Sequence, residues 1–289
     1  MKLASFLQSE YIDQPFCFVM GNPVEHSLSP EVHNFAARHH GLDWTYHKVK
    51  VLEDELEVAS GLFHQKHFIG ANITIPHKRS IMPYLDIIKK SAKEAGAVNT
   101  IVKKAGIVTG YNTDEFGFSQ PLMKFADILK HGTAIVFGSG GACAAVVYAL
   151  LNHFHVEKIY IVTRNKNACN SQTEMIQIVS YASVPDVIAA ADIIINTTPI
   201  GMGDSKDHSP LVPELLADVN SKICYDLIYT PLRTRFLKEC GDHGAITING
   251  LPMFIHQAAK AFELWTGKVF PVHEAESLLL NKLKVNGED

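Results

Sequence analysis

Several stretches of the chain hold side chains whose types and spacing suit chemistry on a small polar molecule beside a bound dinucleotide. Gly138-Ser139-Gly140-Gly141-Ala142 is a glycine-rich turn between an apolar run, TAIVF, and a helical run, CAAVVYALL. Glycine there lets backbone approach a pyrophosphate, and the N–H groups that open a helix are free donors for it. Cys143 stands where the GxGxxG pattern has its third glycine, and a small residue still permits close helix–strand packing. A tight structural turn in an unrelated α/β domain would look the same in isolation. The end of the next apolar run adds to it: Thr163-Arg164-Asn165-Lys166. A binder of the non-phosphorylated cofactor places Asp or Glu there, to accept from the ribose 2′-OH. This chain has no acid; Arg164 and Lys166 can meet a 2′-phosphate, and the Arg164 plane can also stack on adenine. Together the two stretches favour NADP.

The first half of the chain holds the reactive candidates. His26-Ser27-Leu28-Ser29-Pro30 sets two hydroxyls two residues apart ahead of a helix. Ser29 suits an N-cap, and the pair also suits a substrate carboxylate. Asn72-Ile73-Thr74-Ile75-Pro76-His77-Lys78 ends a strand with Thr74 and Lys78 clustered. A lone Lys is commonly a solvated surface residue, so Lys78 gains meaning only from company. Asn99 and Asp114 fall at opposite ends of an expected hairpin, which brings them near each other. NTTPIGM (196–202) follows a strand end, where open α/β sheets bind ligands, but its role is open.

These residues need a scaffold, and the hydropathy pattern supplies one. FCFVM (16–20), WTYHKV (44–49) and FIGANIT (68–74) read as strands, and a helix opens near Pro30. Residues 51–63 place Leu52, Leu56, Ala59 and Phe63 on one helical face. Residues 97–112 form a hairpin turning at Ala105–Gly106. From Thr133 the texture changes: TAIVF, KIYIVT, DIIINT, KICYDLI and AITIN are continuous apolar runs, as in parallel strands covered on both faces. Helices are expected between them at roughly 141–154, 171–180 and 233–241, with junctions near Phe116–Pro121 and Gly250–Pro252. Two further helices close the chain, the first with Phe254, Ala258, Phe262 and Trp265 on one stripe, and both are expected to return to the first domain.

Bulk properties exclude other classes. At 289 residues the chain suits two domains, and a net charge of −4 argues against an electrostatic nucleic-acid binder. No apolar run is long enough for a membrane span, and the N-terminus lacks the features of a signal peptide. Five unpatterned cysteines read as reduced thiols of a cytoplasmic protein. The 15 histidines, including His64 and His67, show no third partner at ligand spacing, so no metal is expected.

GNPVEHSLSPEVHN, NITIPHK, AVNT, GYNTD, GSGGA, NTTPIGM, DLIYTP and GLPMFIHQAAKAFELWTG, in this order, resemble the shikimate dehydrogenase family over nearly the whole chain. The resemblance implies an α/β protein of two domains. Residues 1–117 and 252–289 would form a mixed-sheet substrate domain, and 118–251 a Rossmann-like NADP domain. It implies that Ser27 and Ser29 bind the substrate carboxylate with Tyr229 close by, and that Thr74, Asn99, Asp114 and Gln257 hold ring hydroxyls. Lys78 and Asp114 would be the catalytic pair. Gly138 to Ala142 would hold the pyrophosphate, Arg164 between Thr163 and Asn165 the 2′-phosphate, and Leu227 and Gly250 would lie beside the nicotinamide. The family more often has Asn-Arg-Thr where this chain has Thr163-Arg164-Asn165. The implied reaction is NADPH-dependent reduction of 3-dehydroshikimate to shikimate on the aromatic amino acid route, by a monomer or homodimer. A broader quinate/shikimate dehydrogenase and a non-catalytic NADP-binding protein are the alternatives; intact Lys78 and Asp114 count against the second.

Overall fold

A computed structural model describes residues 1–164 and 173–285. The backbone divides into two compact units, Met1–Gly117 with Ile255–Leu279, and Phe118–Phe254 with the stretch from Leu280 onward.

In the first unit, six strands form one mixed sheet: β1 (Phe16–Gly21), β2 (Thr45–Lys50), β3 (Phe68–Ile73), β4 (Ile87–Ile88), β5 (Thr100–Lys104) and β6 (Ile107–Tyr111), in the order β2-β1-β3-β5-β6-β4. The first three strands are parallel to one another, and β5 runs antiparallel to β3 and β6. Side chains alternate across the sheet. Phe16, Phe18 and Met20 enter a core with Phe6, Leu62 and Phe63, and the opposite face meets His33, Tyr46 and Trp265. The β5–β6 hairpin turns through Ala105 and Gly106 at φ 50° and 83°, a left-handed pair that matches strand twist. Residues 51–63 are not one amphipathic helix. They form short turns at Glu53–Glu55 and Gly61–His64 around a helix at Leu56–Ser60, and Leu52 is exposed because Glu55 caps its backbone N–H.

The second unit is a parallel sheet of β7 (Thr133–Phe137), β8 (Lys158–Val162), β9 (Ile176–Val179), β10 (Ile193–Asn196), β11 (Ile223–Asp226) and β12 (Ile246–Ile248). Its order, β12-β11-β10-β7-β8-β9, is that of a doubly wound dinucleotide-binding sheet, with the switch point between β7 and β10. The continuous apolar runs follow from having a core on each face. Ala134, Val136, Ile193 and Ile195 face one, and Ile135, Phe137 and Ile194 the other. Helices Gly141–Asn152 and Arg235–Asp242 lie where periodicity places them. Of the helix expected over roughly 171–180, residues 171 and 172 lie outside the described residues, and in the rest Ile176–Val179 is a strand that pairs in parallel with Ile159–Val162. β12 is an edge strand with Ile246 and Thr247 exposed, so its apolar run is not doubly covered.

Helices Leu251–Thr266 and Val272–Val285 end the described chain. Within the first unit, Trp265 donates from Nε1 to the carbonyl of Ile101 at 2.9 Å and packs 4.9 Å from the His33 ring. Trp265→Phe leaves that carbonyl without its indole donor and opens a void beside His33. It should destabilise the protein by about 2–4 kcal/mol, read as a lowered midpoint in denaturant titration with unchanged m-value.

Candidate active site

The loops at the ends of β3, β5 and β6 converge on one buried carboxylate. Asp114 opens the short helix Asp114–Ser119 and is 7% exposed. Its Oδ1 accepts from Asn99 Nδ2 at 2.7 Å, and its Oδ2 accepts from Lys78 Nζ at 2.5 Å. Burying a carboxylate is costly unless its oxygens are paired, and here each oxygen has a donor. Asn99 precedes β5 and Asp114 follows β6, so closure of the hairpin brings them together. Backbone bonds lock the rest. Val98 N–H donates to the Lys78 carbonyl at 2.8 Å, Thr113 N–H to Asn99 Oδ1 at 2.7 Å and Asp114 N–H to Asn112 Oδ1 at 3.0 Å. His77, fully buried, ties the Lys78 loop to the Val51 carbonyl at 2.7 Å.

Ser27 and Ser29 stand together, with Ser27 Oγ donating to Ser29 Oγ at 3.1 Å. Ser29 does not cap its helix. It is the first helical residue, Leu28 holds the cap position, and the Ser29 hydroxyl accepts from Ser27. Thr74 follows β3, its N–H bonded to the Met20 carbonyl at 2.9 Å, and Gln257 is half-buried on the helix Leu251–Thr266. Tyr229 belongs to the second unit, where its ring lies 4.8 Å from Phe254.

Four buried polar residues of this cluster escaped the sequence reading as site residues: Tyr46, Asn72, Thr100 and Thr113. Tyr46 OH donates to Asn72 Oδ1 at 2.6 Å, Asn72 Nδ2 to Thr100 Oγ1 at 3.0 Å, and Thr100 Oγ1 to Asn99 Oδ1 at 3.0 Å. Burial raises the Tyr46 phenol well above its usual range, and it drives the His33 imidazole stacked on it down to about 3, so both rings are neutral. A signal was available: Gly70, Asn72 and Thr74 alternate with Ala71 and Ile73, which gives the strand one polar face.

In the second unit the glycine turn has the geometry that a dinucleotide phosphate needs. Gly138 sits at φ 109°, and a Cβ there would collide with Thr197 Oγ1, so no larger residue fits. Gly140 caps the helix Gly141–Asn152 without any side-chain bond, and nothing lies within 4 Å of where its Cβ would point. That leaves open backbone at a helix N-terminus. Ala142 lies in the first turn of that helix, and Ser139 is 3.0 Å from Thr163 through their hydroxyls, which joins the turn to the end of β8. Arg164 is exposed and close enough to Tyr181 to act on its phenol, whereas Asn165 and Lys166 lie outside the described residues. Gly250 presses on Leu227: a Cβ on it would collide with the Leu227 carbonyl oxygen.

Asp226 organises this second set of loops. It is fully buried at the end of β11, and Oδ1 accepts from Asn196 Nδ2 at 3.1 Å and Ile228 N–H at 3.0 Å, while Oδ2 accepts from Thr234 at 2.7 Å. Asn196 opens NTTPIGM and Ile228 follows Leu227, so one carboxylate fixes both loops. Among the described residues no cluster of three or more His, Cys, Asp or Glu side chains is placed to hold a metal, and no helix is long and apolar enough to cross a membrane.

Comparison with known proteins returns one family. A model described as the shikimate dehydrogenase substrate binding domain matches residues 19–101, and one described as the shikimate 5′-dehydrogenase C-terminal domain matches 250–280. The shikimate dehydrogenase (NADP(+)) of Methanococcus maripaludis is 38% identical over 274 residues, which is 92% of this chain and 96% of the relative. The structure of shikimate 5-dehydrogenase from Listeria monocytogenes, in complex with shikimate and NAD, aligns at TM-score 0.82 and 30% identity, over 92% of this chain and 96% of that one. The Thermus thermophilus enzyme, in complex with NADP(H) and shikimate, aligns at 0.80 and 32% identity, over 93% and 99%.

Burial gives Asp226 a titration of its own, raising its carboxyl from 3.8 to about 6 against the opposing pull of its three donors. In the window between those values the folded state holds a proton that the unfolded chain has released, so this group's contribution to stability is present near pH 4 and lost as pH rises through 6. Asp226→Asn removes that dependence. Denaturant titrations should find the wild type losing about 2 kcal/mol relative to the variant between about pH 4 and pH 6; parallel curves would contradict the assignment.

Proposed function

The chain belongs to the shikimate dehydrogenase family, and from that membership we propose that it catalyses the reversible, NADP-dependent interconversion of 3-dehydroshikimate and shikimate. The product is an intermediate of aromatic amino acid biosynthesis, and the enzyme acts as a monomer or homodimer in the cytoplasm.

The observation that most supports the chemistry is the Lys78–Asp114 contact at 2.5 Å, in a carboxylate whose other oxygen is occupied by Asn99. A lone ammonium would swing in solvent, whereas this one is held to a stated atom. Ser27 and Ser29 bind the substrate carboxylate through their hydroxyls, and Tyr229 is a further substrate-binding residue. Thr74, Asn99, Asp114 and Gln257 hold the ring hydroxyls. With those contacts the carbonyl oxygen lies against Lys78 Nζ. The ammonium polarises that oxygen and delivers a proton to it as negative charge develops, and Asp114 keeps Nζ on line throughout. In the reverse direction Lys78 takes the proton back from the hydroxyl.

NADP fits the second unit on the features of the turn itself: a glycine that nothing larger can replace, a second with open space before it, and an uncapped helix start. Gly138, Ser139, Gly140, Gly141 and Ala142 hold the pyrophosphate, Thr163, Arg164 and Asn165 the adenosine 2′-phosphate, and Leu227 and Gly250 the nicotinamide. When bound, the cofactor supplies the hydride that goes to the carbonyl carbon. Arg164 carries the preference for the phosphorylated cofactor, since a guanidinium–phosphate bond is charge-assisted and the unphosphorylated ribose offers no such partner.

The reading is tested by spectrophotometric assay of shikimate and quinate, each with NADP and NAD. The highest kcat/KM is expected for shikimate with NADP; a higher value for quinate would overturn the substrate assignment. Lys78→Ala should lower kcat by about 10²–10⁴-fold with little change in the KM for shikimate, because its proton matters in the transition state. Arg164→Ala should raise the KM for NADP and leave that for NAD nearly unchanged. Equal losses with both cofactors would reduce Arg164 to a stacking or structural role.

A further inference from the structure

A buried chain of polar side chains stands behind Asn99, and its amides are oriented by their partners. Asn72 Nδ2 also donates to the backbone carbonyl of Asn99 at 3.2 Å, so that nitrogen cannot be exchanged with Oδ1. Oδ1 of Asn72 must therefore receive a proton, and Tyr46 OH gives it. Thr100 Oγ1 accepts from Asn72 and meets the Asn99 amide at Oδ1 at 3.0 Å, with Thr113 Oγ1 beside it at 3.1 Å and itself on Asn99. The amide of Asn99 is fixed in the same sense by the N–H of Thr113 on Oδ1 and the Asp114 carboxylate on Nδ2. The run from Tyr46 to Asp114 thus passes through residues that are 0–7% exposed.

Resting on the reading that Lys78 and Asp114 do the chemistry, we propose that Tyr46 and Thr100 are positioning residues of the reaction. Their hydroxyls lie behind the pocket and hold the Asn99 amide so that Nδ2 faces Asp114 Oδ1, which turns Oδ2 to Lys78. Tyr46, Asn72, Thr100, Asn99 and Asp114 form one hydrogen-bonded frame behind the pocket. Three strands supply its first half: Asn72 and Thr100 are direct cross-strand partners on β3 and β5, and Tyr46 reaches over β1 from β2.

The test uses Thr100→Val, which keeps the branched shape and deletes the hydroxyl, Thr100→Ser, which restores the hydroxyl on a smaller side chain, and Tyr46→Phe. Kinetics are read per mole of folded enzyme, with thermal unfolding measured in parallel. Thr100→Val should lower kcat/KM for shikimate about tenfold, through both a lower kcat and a higher KM for shikimate, while the KM for NADP stays within about twofold. Thr100→Ser should recover most of the loss. Tyr46→Phe should impair turnover alone but add little in the Thr100→Val background, because the chain is already cut there. Unchanged kinetics in Thr100→Val, a Thr100→Ser enzyme no better than it, or fully additive losses would each overturn the proposal. Lys78→Ala separates this from the underlying reading: if it abolishes turnover while Thr100→Val is normal, only the positioning role fails, and if it turns over normally, the catalytic pair itself fails.

Discussion

A buried carboxylate whose two oxygens must each find a donor governs the first unit. Asp114 is 7% exposed, and its two oxygens are held by an amide and an ammonium from different parts of the chain. The local backbone is arranged to make those bonds available. The two-residue turn at Ala105–Gly106 sets the hairpin register, so the residue before β5 meets the residue after β6. The Lys78 loop is stitched to the hairpin entry through Val98, and to the far side of the sheet through His77. Removing one partner would leave a buried charge unpaired, which costs more than the pair itself contributes.

The second unit repeats the device without a cation. Asp226 also sits at a strand end, bonds the amide of an asparagine on the neighbouring strand, and distributes its remaining capacity to a loop N–H and a threonine. Asn196 and Asp226 are register partners on β10 and β11, so the bond is set by sheet pairing, not by a loop. With neutral donors only, desolvation prevails and the carboxyl titrates near 6. The two asparagine–aspartate pairs therefore differ in what they can do. One presents an ammonium to solvent-accessible space, and the other holds loops still.

Much of this was legible in the sequence, and the legible parts share a cause. Strand runs, the hairpin and the helices Gly141–Asn152 and Arg235–Asp242 are local patterns that burial reinforces. Asn99 and Asp114 could be paired in advance because a hairpin with a recognisable turn maps sequence separation directly onto distance. The failures arise where a tertiary partner decides. Ile176–Val179 has too few residues for periodicity to distinguish strand from helix, and pairing with β8 settles it. Ser29 has the residue type of a cap, but the helix takes it in as its first residue, and its hydroxyl meets Ser27. Tyr46, Asn72 and Thr100 are distant in sequence and individually ordinary, and only strand order places them side by side.

NTTPIGM, whose role the residues alone left open, becomes intelligible through the glycine turn it faces. Thr197 donates to the Phe137 carbonyl at 2.7 Å, which brings its hydroxyl to the space a Cβ on Gly138 would need. Thr198 closes back on Asn196 at 2.6 Å, and Asn196 reaches the Ile200 carbonyl at 2.9 Å, so the loop is held by its own side chains. Gly138 is consequently required twice, by its φ of 109° and by Thr197, before any ligand is considered. Because Asn196 also bonds Asp226, the loop braces the turn after β7 against the loop after β11. The loops at the switch point of the sheet thus fix each other, and the backbone at Gly140 is the part left open.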